Sequence, residues 1–79
     1  MSMDDFAMGY YEAETAMLDV VKAADKAVWT IDRLIVETYG TDKVLGDEFH
    51  VLREAADEMR GNGLRSIETA RTMLVSRIL

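Results

Sequence analysis

The chain has 79 residues and no cysteine, and it carries 15 acidic against 9 basic side chains for a formal net charge of −6. Disulfides and thiolate metal sites are excluded outright, and a chain this short predicts one domain, residues 1–79, with little interior to stabilise it. Phosphate binding needs a concentrated basic face, so direct binding of nucleic acid is disfavoured.

No apolar stretch is long enough to span a bilayer; the longest are of the kind Leu34-Ile35-Val36. No basic region followed by an apolar run opens the sequence, so no signal peptide and no membrane contact are expected, and a cytoplasmic location is the default. Proline is absent throughout, which removes the strongest helix breaker. Glycine is confined to Gly9, Gly40, Gly46, Gly61 and Gly63.

Ser2 followed by Asp5 has the spacing of a helix-starting capping box. From there apolar residues recur in alternating steps of four and three: Phe6, Tyr10, Ala13, Met17, Val20, Ala24, Ala27, Ile31 and Leu34. This spacing keeps one helical face against a neighbour and predicts a long helix over about residues 3–39, roughly 55 Å in length. Tyr39-Gly40-Thr41-Asp42 ends it. Gly40 can adopt the left-handed closing conformation and Thr41 can cap the next helix.

A second helix is predicted over about 42–60, with Leu45, Phe49, Leu52, Ala56 and Met59 on one side. Gly61-Asn62-Gly63 reads as a break, because the apolar line shifts by about one residue across it and restarts at Leu64, Ile67, Leu74 and Ile78. A third helix is therefore expected over 63–79, capped by Asn62. The whole is an all-α antiparallel bundle of one long helix and two shorter ones, which dimerisation would complete.

Charge is distributed to match that layout. Residues 1–20 carry Asp4, Asp5, Glu12, Glu14 and Asp19 and no base, whereas residues 60–79 carry Arg60, Arg65, Arg71 and Arg77 against Glu68. Folding back at Gly40 sets these segments side by side. Arg71 falls among Ile67, Leu74 and Ile78, so it needs an acidic partner, with Asp4, Asp5 and Glu12 the candidates for a structural ion pair.

Two surfaces are candidates for binding. Tyr11, Leu18, Trp29 and Val36 form a second apolar line on the first helix, directed away from the packed seam, where aromatic side chains can anchor a protein partner or a second copy. Asp47, Glu54, Asp57 and Glu58 form an acidic row on the second helix, with Glu12, Glu14 and Asp19 a further acidic group on the first. Rows of carboxylates can stand in for phosphates.

Three resemblances bear on function. His50-Val51-Leu52-Arg53, with Met59 following, resembles the histidine-phosphotransfer helix, which implies a signalling role through His50; Glu54 stands where that family favours glycine. Glu54-Ala55-Ala56-Asp57 resembles the second acidic motif of helical nucleotide pyrophosphatases, whose first motif is missing here. The length and hairpin plan resemble the WXG100 secretion family, implying a structural homodimer, although Tyr39-Gly40 replaces that family's Trp-x-Gly turn.

Asp47, His50 and Glu54 share one helical face, but one nitrogen and two carboxylates fall short of a zinc site, so no metal and no cofactor are expected. No Gly-rich phosphate loop, nucleophile turn or Cys/His pair occurs, so the chain reads as non-enzymatic. What remains is a small acidic protein that binds a larger protein or ribonucleoprotein complex and modulates it. One form of this is a phage or mobile-element inhibitor of the anti-CRISPR type, masking a surface that normally holds nucleic acid.

Overall fold

The computed structural model describes the backbone of residues 3–78 and the side chains of residues 4–77. Two helices fill nearly all of it: α1, Met3–Tyr39, and α2, Lys43–Ile78. They pack antiparallel into a hairpin measuring 59 × 17 × 14 Å, and no strand occurs among the described residues. The Ser2 cap lies outside the described residues, as does the side chain of Ile78. No helix is long and apolar enough to cross a membrane.

The turn is short and hydrogen-bonded. The amides of Thr41 and Asp42 both donate to the Thr38 carbonyl, at 2.9 and 2.8 Å, which satisfies the last turn of α1. Gly40 does not take a positive φ, so the left-handed closure expected there is absent. Asp42, not Thr41, caps α2: its carboxylate accepts from the Leu45 amide at 3.1 Å and its carbonyl from the Gly46 amide at 3.0 Å. The Thr41 hydroxyl is turned back to the Thr38 carbonyl instead.

The expected break at Gly61-Asn62-Gly63 does not occur. Helix α2 runs through it, and the two shorter helices are one. The reason lies in the line that α2 turns toward α1. It reads Gly46, Phe49, Arg53, Ala56, Arg60, Gly63, Ile67 and Leu74, all buried or half-buried, in heptad steps that never lose register. Arginine and glycine hold three of its central positions, so a search for apolar residues misses it and registers a false shift. At Gly63 the helices approach closely; a β-carbon there would stand 2.7 Å from Val21 Cγ2.

The seam on α1 is also rotated from the expected one. Val21, Ala24, Val28, Ile31 and Ile35 are buried, with Ile67 opposite on α2. Ala24 and Ile31 belong to both versions. The difference is the flanking column: Val21, Val28 and Ile35 are inside, while Val20 and Leu34 are exposed. The inner column begins with Glu14, whose charge makes it look like an outer one. On α2, Leu45, Leu52, Met59 and Leu64, all expected inside, are exposed as well. Both helices are therefore apolar over a wider arc than a two-helix contact can cover.

Candidate interaction surface

One face of the hairpin is a ladder of ion pairs. Arg53 Nε donates to Asp32, Arg60 to Asp25 at 2.5 Å and also to Asp57, and Arg71 to Glu14. The acids on α1 fall at residues 32, 25 and 14 and the arginines on α2 at 53, 60 and 71, so both sets step by the same intervals in opposite directions. Each exposed pair contributes little by itself. Together they specify a single register, because sliding either helix by one turn separates all three. On the same face the Tyr39 hydroxyl donates to Asp47 at 3.0 Å and the Tyr39 ring lies 5.4 Å from that of His50.

Arg71 thus pairs with Glu14, not with Asp4, Asp5 or Glu12, and it is an exposed side chain, not a buried one. Glu14 is the enclosed member, with its side chain 13 % exposed. The Arg71 hydrogen bond holds the Glu14 carboxyl below the usual glutamate range, against an opposing effect of burial. The neighbouring Tyr10 hydroxyl is closed off from solvent, and burial pushes its pKa up, with the Glu14 carboxylate adding to the effect.

A folded-state pKa held below the unfolded one contributes stability above the ordinary glutamate range, and that stability disappears as pH falls through the lowered value. Glu14→Gln is therefore expected to flatten the acid side of the stability profile. Thermal midpoints of both proteins against pH check this, and parallel acid limbs would contradict it.

Among the described residues, no ion pair is found on the opposite face. Phe6, Ala13, Val20, Ala27 and Leu34 recur every seven residues on α1, and Leu45, Leu52, Met59, Ser66 and Met73 do so on α2. Shallow grooves join the two columns: Tyr10, Ala13, Glu14 and Met17 line one with Ser66, Ile67 and Ala70, and Phe6 and Tyr10 line another with Ala70, Met73, Leu74 and Arg77. Neither column contains a charged residue, and every large apolar member is exposed. The apolar seams read from the sequence run along the border between this open face and the true interhelical contact.

The outer side of α1 carries the second apolar line. Tyr11, Trp29 and Val36 are open to solvent, Trp29 at 69 % and Val36 at 78 %, whereas Leu18 is half-buried and leaves the line. The charges around Trp29 are sorted. Asp25 and Asp32 turn toward α2 and pair there, while Lys22, Lys26 and Arg33 are exposed and, among the described residues, have no ion-pair partner. The outer surface near Trp29 is therefore basic, although the chain is acidic. Glu12 and Asp19 are exposed nearer the start of α1.

One carboxylate of the acidic row on α2 is ion-paired, Asp57, through an Arg60 that it shares with Asp25. Asp47 accepts from Tyr39 and Asp57 from Arg60, while Glu54 and Glu58 line a groove together with Arg60 and Arg65. All four carboxylates of the row are exposed, with Arg60 and Arg65 beside them. Asp47, His50 and Glu54 do not converge: among the described residues no group of three or more such side chains could hold a metal ion. His50 is exposed, with Glu54 one turn away, where it would repel a phosphate on the imidazole. Charge sorting around Trp29 was not legible beforehand, because which of two adjacent acids faces inward depends on the register of the hairpin.

No protein-family model matches this chain, and no curated protein or solved structure is significantly similar to it.

Proposed function

We propose that this is a non-enzymatic protein-binding protein that engages a larger protein or ribonucleoprotein assembly through the outer side of α1. The observation that carries the reading is the exposed pair Trp29 and Val36, set among Lys22, Lys26 and Arg33 on the side away from α2. Tryptophan in such a position supplies a large, rigid contact at low entropic cost, and surrounding cations select the partner. The complementary surface is acidic, with an apolar centre that accepts the indole. The hairpin supplies the rigidity: its ladder of ion pairs keeps the neighbouring carboxylates, Asp25 and Asp32, turned away.

The narrower reading, an anti-CRISPR-type inhibitor covering a nucleic-acid site, rests on chain size and net charge together with the exposed Glu12 and Asp19. The exposed row Asp47, Glu54, Asp57 and Glu58 on α2, in which Asp57 is ion-paired, belongs to the same reading.

Capture from a lysate of the native host, by wild type and by two variants, tests the proposal. A partner retained by wild type should be lost with Trp29→Ala and with the triple exchange of Lys22, Lys26 and Arg33 to Glu, at unchanged helical content. Retention of the same partner by both variants would overturn the reading.

A further inference from the structure

We propose that the uncharged face of the hairpin is covered by a second copy of this chain, with the two hairpins head to tail, giving a four-helix bundle. This rests on a different surface from the Trp29 line and leaves that line outside the bundle.

The hairpin has little core of its own. Among the described residues only six apolar ones, Val21, Ala24, Val28, Ile31, Ile35 and Ile67, are buried within it. Meanwhile Phe6, Val20, Leu34, Leu45, Leu52, Met59 and Met73 stand open on one face. A chain of this size is only marginally stable on so small a core. The open face is about as long and wide as the hairpin, 59 by 17 Å. Covering it would bury on the order of 1,000 Å² per partner, above the ~800 Å² of a standard stable interface.

The occupant is a second copy because the face complements itself. Both columns repeat every seven residues, so two such faces interdigitate as knobs into holes under a two-fold axis. The contact is also free of the repulsion that a net charge of −6 would otherwise bring, since the acids lie on the other faces. The seven-residue columns bordering the open one run Gly9, Ala16, Ala23 and Thr30 on α1 and Ala55, Asn62, Thr69 and Ser76 on α2. They are small and uncharged until the turn, where Glu37 and Glu48 continue them.

Those two carboxylates choose the orientation. Turn over turn, Glu37 and Glu48 of both copies would gather at one end of the bundle. Head to tail, α2 lies on α2 in opposite directions, and each Glu48 approaches the end of the other copy's α2. Arg77 stands at that end, exposed and lining the groove with Phe6 and Met73. Glu48 then meets the opposite charge of Arg77 at both ends of the α2 pair, while Glu37 comes to the acidic start of the other copy's α1.

Sedimentation equilibrium on the purified chain tests the association. Wild type should give twice the 8.9 kDa chain mass. Leu52→Asp, at a position exposed in the hairpin, should weaken association ~100-fold or more while retaining helix, since it places a charge in the interface twice. Val20→Asp should do the same from the other helix. Trp29→Ala, on the outer side, should leave the dimer as tight as before.

A wild-type monomer would overturn the proposal, as would a dimer that tolerates both aspartates or that Trp29→Ala dissolves. Spin labels at Thr41→Cys, in a chain with no other cysteine, report orientation. Their separation should approach the 59 Å hairpin length, and a value nearer the 17 Å width would overturn the head-to-tail arrangement.

Discussion

Ile35→Ala is expected to destabilise the hairpin by ~2–5 kcal/mol, the range for truncating a buried isoleucine, while Val36→Ala one residue later changes stability by less than ~0.5 kcal/mol. Ile35 is buried against α2 near the turn, and Val36 lies on the outer side of α1, 78 % exposed. A small helical protein has little stability in reserve, so losing one of the six apolar residues buried among the described ones removes a large part of it. Urea or thermal unfolding of the two variants checks the difference. Equal effects would mean that the side of α1 facing α2 has been misplaced.

The same substitution at two glycines should have opposite signs. Gly63→Ala places a methyl 2.7 Å from Val21 Cγ2. Val21 is buried and β-branched, so it has no free rotamer into which to retreat. The helices must separate locally, at a cost of ~1–3 kcal/mol that outweighs the ~1 kcal/mol alanine gains over glycine in a helix. Gly61→Ala meets only the Arg65 guanidinium, at 3.4 Å and beyond, which can move aside. That variant keeps the helical gain and should be more stable by ~0.5–1 kcal/mol. Adding Val21→Ala to Gly63→Ala should recover part of the loss through the shared space, a coupling that a double-mutant cycle reads directly. Stabilisation by Gly63→Ala would show that the helices do not approach each other there.

Much of the architecture was legible in the residues. The absence of proline, the long four-three spacing over residues 6–34 and the stop at Tyr39-Gly40 give α1 its bounds and the chain its reversal. The opposite charges of the two ends foretell their proximity, which Glu14 and Arg71 realise. The continuity of α2 was hidden because Gly61 and Gly63 look like punctuation, and because the inner line passes through Arg53, Arg60 and Gly63. A helix that faces its neighbour with arginines and glycines cannot be found by following hydrophobicity.

The rotation of α1 has a related cause. Two flanking columns, one with Val20 and Leu34 and one with Val21, Val28 and Ile35, are both apolar and lie one residue apart. Only the positions of Asp25 and Asp32, which must reach Arg60 and Arg53, decide between them. The exposed Trp29 line was visible in the spacing, apart from Leu18. The basic setting of Trp29 was not, since it follows from the ion pairs.

The central claim is a hairpin with one fixed register, in which α2 is unbroken and Gly63 lies against Val21. A nuclear Overhauser contact between the Val21 methyls and the Gly63 α protons, within one chain, tests it most directly. A strong contact is expected, accompanied by helical exchange protection through residues 61–63. A missing contact alongside unprotected amides at Gly61 and Gly63 would restore the break and contradict it.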